Sequence, residues 1–138
     1  MLIGVIGVAE ASSAEEKSAE AVGRLIAEQG HTLICGGRGG VMAAACRGAH
    51  DGGGIAVGIL PGTSPDEANP WVTIPIATGL GEARNAIITR AAHALIAIGT
   101  GWGTLSEIAL AVKMGKPVVA LGSAPFLQAF AAGAVVWV

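Results

Sequence analysis

Short apolar runs alternate with longer amphipathic stretches along the chain. Leu2–Val8 reads as a first strand. Ser13–Gln29 has helical spacing, with Ser13 and Glu16 as a capping-box pair and Gly30 as the stop. Thr32–Cys35 is a second strand, and a glycine cluster follows it. Val41–Ala49 is an alanine-rich helix, and Ile55–Leu60 a third strand. The stretch PGTSPDEANP, residues 61–70, is a loop by composition. Trp71–Ile76 predicts a fourth strand, Glu82–Ala92 a helix, and Leu95–Ile98 a fifth strand. Leu105–Met114 predicts a helix closed by Gly115 and Pro117, and Val118–Leu121 a sixth strand. Ala134–Val138 reads as one more short buried strand. Strands buried on both faces are continuous Val/Ile/Leu runs, as these are. The alternation predicts an α/β fold: a doubly wound parallel sheet of six to seven strands in three layers, α/β/α. No repeat or linker interrupts it, so residues 1–138 are expected to form a single domain.

Composition adds an expectation about assembly. Apolar residues make up 52% of the chain and charged residues only 13%, against about 25% in a typical globular domain. So little charge predicts surface buried against copies of the same chain, a homo-oligomer of two or more subunits. The net charge of −2, with no basic run or stripe, predicts no nucleic-acid partner. Cys35 and Cys46 match no metal-ligand spacing and no disulfide framework. They fit a reduced, cytoplasmic setting, and no metal site is expected. The N-terminus lacks a basic signal-peptide region. Residues 117–138 carry no charge, but Pro117, Gly122, Pro125, Gln128 and Gly133 break the run, so no membrane span is expected.

In open parallel sheets, ligands bind beyond the carboxyl ends of the strands, where strand order reverses. Four loops therefore draw interest: VAEASS (8–13), CGGRGGVM (35–42), TGLGEARN (78–85) and GTGWGTLSE (99–107). Two are glycine-rich turns feeding a helix N-terminus, whose free N–H groups and dipole suit phosphate. The dinucleotide fingerprint is absent, because no G-x-G-x-x-G follows the first strand.

Single residues in these loops carry two readings each. Thr104 and Glu107 form T-x-x-E, the signature of a capping box, yet Glu107 also qualifies as an active-site carboxylate. Arg84 falls at the first turn of a helix, the unfavourable end of the dipole for a cation, which a bound anion would explain. Arg38 is either solvated or on phosphate. Trp102, between glycines, suits stacking on a planar ring or packing on another chain. His50 and His93 have no partners at metal spacing. Cys35 reads as a small buried residue.

The three motifs GGRGGVM (36–42), GEARN (81–85) and GWGTLSE (101–107), in this order, resemble the Rossmann-like superfamily once labelled "lysine decarboxylase-like". It includes the LONELY GUY phosphoribohydrolases and the molybdenum cofactor carrier proteins. The resemblance covers about residues 1–122. In the hydrolase branch the last signature reads P-G-G-x-G-T-x-x-E, and its Glu acts with an Arg in N-glycosidic cleavage. Glu107 and Arg84 match these two, and Gly101, Gly103 and Thr104 match the phosphate loop. Gly99 and Thr100 stand where Pro and Gly are expected, and Asn85 where Lys is expected. The closing helix of many relatives is not expected after the sixth strand. The T-G-x-x-x-A-R-N and G-T-L-S-E wording looks more like the carrier branch.

The resemblance thus implies a carrier for a phosphorylated pterin- or nucleotide-like ligand, with the alternative of a nucleoside 5′-monophosphate phosphoribohydrolase using Arg84 and Glu107. Lysine decarboxylase activity is not expected. The implied binding residues are Gly36, Gly37, Gly40, Met42, Arg84, Asn85, Gly101, Trp102, Gly103, Thr104 and Glu107. Thr104 would cap its helix and its hydroxyl could also reach phosphate. No cofactor is required; molybdenum cofactor or nucleotide would be the bound molecule.

Overall fold

A computed structural model of the chain describes residues 1–122, 128, 131 and 133–138. Seven parallel strands form one sheet: β1 (Leu2–Gly7), β2 (Thr32–Cys35), β3 (Ala56–Leu60), β4 (Ile74–Ala77), β5 (Ala94–Ile98), β6 (Val118–Leu121) and β7 (Val136–Trp137). Their order is β4-β3-β2-β1-β5-β6-β7. The order reverses between β1 and β5, so the doubly wound sheet is present as expected. Helices α1 (Ser13–Glu28) and α2 (Val41–Asp51) bury their faces with Val5, Leu33 and Cys35. Helices α3 (Asn85–Ala91) and α4 (Trp102–Lys113) share a second core with Ile6, Ile34, Leu95 and Ala97. Alternate residues of the strands feed the two cores, which gives three layers.

The two outer strands depart from the sequence expectation. β4 starts at Ile74 rather than Trp71, and Ile74, Pro75 and Ile76 are exposed. Trp71 instead packs half-buried beside α2, with the Arg47 guanidinium 5.3 Å from its ring centroid. β7 is not a buried strand either, since Val136 is 61% exposed. Both are edge strands, with a neighbour on one side only, and they bury less than the central strands. The expectation of no closing helix concerns residues 123–132, most of which lie outside the described residues. No helix among the described residues is long and apolar enough to cross a membrane.

The first helix is capped one residue earlier than the spacing suggests. Glu15 N donates to Ser12 Oγ at 3.2 Å, and Ser12 N donates to Glu15 Oε2 at 3.4 Å. The doublets Ser12-Ser13 and Glu15-Glu16 allow two registers, and the extended backbone of Ser12 selects the first. α1 and α2 then cross closely through glycine. A Cβ on Gly23 would collide with the Ala45 carbonyl, and one on Gly48 with the Glu20 carbonyl.

Candidate functional site

A cleft of about 750 Å³ opens at the carboxyl ends of β1 and β5, where strand order reverses. Glycines shape two of its walls. Gly36, just after β2, sits so close to the opposite side that a Cβ there would lie 2.6 Å from Arg84 Nη2 and 2.7 Å from Met42 Sδ. Gly103, in the first turn of α4, has open space where a Cβ would be. Gly101, Trp102, Thr104 and Glu107 complete that wall. Trp102 is 88% exposed, so its indole stands at the rim, buried by no described residue. Arg84 and Asn85 close the cleft from the start of α3.

Two glycines in the expected set do not line the cleft. A Cβ on Gly37 would lie 2.8 Å from Leu60 Cδ2, so that residue packs the loop on β3. Gly40 starts α2 under the Val8 and Ala9 carbonyls, leaving no room for a side chain. Arg38 also points elsewhere. Its Nη1 is 3.1 Å from Glu67 Oε2, on the loop between β3 and β4.

Arg84 is held rather than free. Its Nε donates to the Ile59 carbonyl at 3.0 Å, and Nη1 donates to Asn85 Oδ1. Asn85 Nδ2 donates to Ser106 Oγ at 3.3 Å, and the Ser106 hydroxyl donates to the Gly103 carbonyl at 2.7 Å. This relay ties α3 to the first turn of α4. Ser106 is not legible as part of the site from sequence, because a serine inside a helical run carries no signal until α3 is placed beside it. Replacing Ser106 with Ala is expected to cost about 0.5–1 kcal/mol in urea unfolding, the usual net value of a hydrogen bond at a wet site.

No described carboxylate forms an ion pair with Arg84. Burial lowers the tendency of its guanidinium to hold a charge, and Glu107 nearby opposes this. The two residues share the cleft without a direct bridge. Glu107 is 7% exposed and accepts no hydrogen bond from a described residue. Burial pushes its pKa up to about 7, although Arg84 pulls it down.

The T-x-x-E sequence is therefore not a capping box. α4 begins at Trp102, and its N-cap is Gly101, which offers no side-chain cap. Thr104 already lies inside the helix. It is 3% exposed, and its hydroxyl has no hydrogen-bond partner among the described residues. Extended Gly101 lets the helix start before Thr104, so the first N–H groups of α4 stay uncapped beside the cleft. Among the described residues no group of three or more His, Cys, Asp or Glu could hold a metal.

The model of the SLOG cluster4 family matches residues 1–134. The chain belongs to the SLOG cluster4 family. An uncharacterised protein of Archaeoglobus fulgidus is 51% identical to it over 121 residues, 88% of this chain and 80% of the relative. In structure, this family member is similar to the molybdenum cofactor binding protein of the phototrophic bacterium Rippkaea orientalis. The TM-score is 0.94 at 41% identity, covering 99% of this chain and 87% of that one. It is also similar to the molybdenum cofactor carrier protein of Chlamydomonas reinhardtii, with a TM-score of 0.89 at 42% identity over 99% of this chain and 89% of the other. The Rossmann-like fold and the carrier-like relationship expected from the motifs are both present.

Proposed function

We propose that the cleft binds the phosphate of a pterin-like cofactor, with the molybdenum cofactor as cargo, and that the protein acts as its carrier. The observation that carries this is Arg84, fixed at the cleft by two hydrogen bonds and left without a carboxylate partner among the described residues. An anion is what such a group lacks. The uncapped N-terminus of α4 and the unpartnered Thr104 hydroxyl supply further donors on the same side. Exposed Trp102 suits one face of a planar ring. The similarity to two molybdenum cofactor proteins supports the choice of ring.

The test is thermal unfolding with pterin phosphates, AMP, GMP and sulfate. Ligands that bind the native state raise the melting temperature by mass action. Gly103→Val is expected to abolish the rise while leaving the free protein folded, because a Cβ there meets nothing within 4 Å and stands in open space at the cleft wall. No rise with any of the four would overturn the reading.

A second reading rests on Glu107, a buried carboxyl in the same cleft as Arg84. In a phosphoribohydrolase it would stabilise an oxocarbenium ion while Arg84 held phosphate or ribose. The assay is release of free base from AMP, or from AMP with an apolar N6 group. Little or no release is expected, since Asn85 stands where the hydrolase branch has Lys. Rapid release that is lost in Glu107→Gln would replace the carrier with the hydrolase.

We also propose a homo-oligomer. The support is scarce charge, at 13% of the chain, together with exposed Ile74, Ile76, Leu80 and Ile87. Light scattering is expected to give a mass above the 13.6 kDa of one chain, and a monomer at micromolar concentration would refute it.

A further inference from the structure

Behind the Gly36 wall lies a pair of groups that cofactor binding does not use. Cys35 ends β2 and Cys46 lies midway along α2, and both are fully buried. Their spacing in sequence suggests no pairing, yet their sulfurs are 3.4 Å apart, and both thiols are free. A disulfide requires about 2.05 Å between sulfurs, so little over an ångström separates the reduced pair from a bond. Gly37 N donates to Cys35 Sγ at 3.3 Å, which fixes that sulfur against the cleft loop.

We propose that Cys35 and Cys46 are a reversible oxidation site, closed to a disulfide by a small peroxide, and that closure reshapes the Gly36–Met42 wall of the cleft. The two sulfurs divide the roles. The hydrogen bond between the two sulfurs pulls the Cys46 thiol below its ordinary pKa despite burial, with Asn69 adding to the effect. The same bond, with burial, pushes Cys35 well up. Cys46 therefore gives up its proton more readily than Cys35, and its ionised fraction is the attacking sulfur, with Cys35 the proton-bearing partner. The Cys46 thiolate attacks one oxygen of hydrogen peroxide, the O–O bond breaks, and the leaving hydroxide takes a proton to become water. The resulting sulfenic acid is attacked by the Cys35 sulfur. The S–S bond forms, the S–O bond breaks, and the second oxygen leaves as water with the Cys35 proton. Two thiols lose two electrons, and one peroxide becomes two waters. A thiol reductant reverses the change by exchange.

Coupling to the cleft follows from the helix. Met42 and Cys46 are four residues apart in α2, so they share a face. Drawing Cys46 towards β2 moves the same turn that carries Met42. That side chain lies over the Gly36 backbone, where a Cβ on Gly36 would be only 2.7 Å from the Met42 sulfur, so a shift of the turn is felt at the cleft wall. Burial excludes large oxidants, so the pair responds to small ones that enter by local opening.

The experiment uses the full chain incubated for hours with hydrogen peroxide. Apart from any sulfoxide oxygen on exposed methionine, the mass is expected to fall by two hydrogens, both thiols should vanish from titration in denaturant, and dithiothreitol should restore them. In protein labelled at the methionine methyls, the Met42 resonance should move on oxidation and return with dithiothreitol, whereas sulfoxide formed at exposed Met1 gives a shift that dithiothreitol does not reverse. Cys35→Ala and Cys46→Ala, each small enough for a buried site, should show neither change. Thiols that persist, oxygen gained at either cysteine rather than at exposed methionine, or covalent dimers on a non-reducing gel would overturn the disulfide. A disulfide that leaves Met42 unmoved would overturn its link to the cleft. Neither readout needs a ligand, so the result stands apart from the carrier reading.

Discussion

Glu107→Gln is expected to stabilise the protein at alkaline pH and to leave it unchanged in acid. The folded pKa of Glu107 is about 7, against 4.5 for an ordinary glutamate. Between these values the native state holds a proton that the unfolded chain has released. Stability linked to this group is therefore fully present below about pH 4.5 and is lost as pH rises through 7. A difference of this size corresponds to about 3 kcal/mol by pH 8, at roughly 1.4 kcal/mol per pKa unit. Gln has the same shape and never ionises, so it keeps what the wild type loses. Urea unfolding of the two proteins from pH 4 to 9 measures it: the curves should coincide at the acid end and diverge by about 3 kcal/mol at the other. A capping carboxylate would behave differently. It would hold its charge, and Gln would complete the box about equally well at every pH. Parallel curves would thus restore the reading from spacing.

How far the sequence carries differs between fold and site. The central strands are legible because β1, β2, β3 and β5 are buried on both faces and β6 on one, and apolar runs this short, bounded by turn residues, are too brief for a helix. The edge strands are not. Ile74–Ala77 and Val136–Trp137 each have one neighbour, so their composition is weakly constrained and their ends are hard to place. The cleft is half legible. GGRGGVM, GEARN and GWGTLSE name Gly36, Met42, Arg84, Asn85, Gly101, Trp102, Gly103, Thr104 and Glu107, and all nine line one cavity. What spacing cannot supply is the partner of each side chain. T-x-x-E is the same string whether Thr starts the helix or sits inside it, and only extended Gly101 decides. Arg38 and Arg84 both sit beside glycine-rich turns, yet Glu67 pairs with Arg38 from a loop 29 residues away and leaves Arg84 to the cleft. Cys35 and Cys46 are a poor pair by separation along the chain, while β2 and α2 bring their sulfurs side by side.

Those partners decide the outcome expected for Arg84→Ala: loss of anion binding of about 50-fold or more, since hydrogen bonds to a charged group are worth about 1.5–3 kcal/mol each. Arg84 reaches the cleft with Nε and Nη1 already engaged by Ile59 and Asn85. Its remaining N–H groups are thus pre-aimed, and little rotamer entropy is lost when an anion arrives. Arg84→Lys should recover only part of the affinity, because an ammonium cannot hold both anchors and still present a fork. Calorimetry with sulfate and AMP measures the loss, and adenosine is the control for contacts outside the phosphate. Arg38→Ala supplies the second control. Its charge is already paired with Glu67, so affinity should hold. A further consequence separates binding from simple damage. Arg84 is what pulls the Glu107 carboxyl down against burial. Without it, the Glu107 titration followed by carbon NMR should move above 7, in free protein and with no ligand present. Sulfate does not titrate in this range, so its binding to the wild type should also weaken as pH rises through 7 and Glu107 becomes negative beside it. If Arg84→Ala binds sulfate and AMP as the wild type does, the guanidinium is not the anion receptor. The phosphate site would then have to be sought at the α4 N-terminus alone.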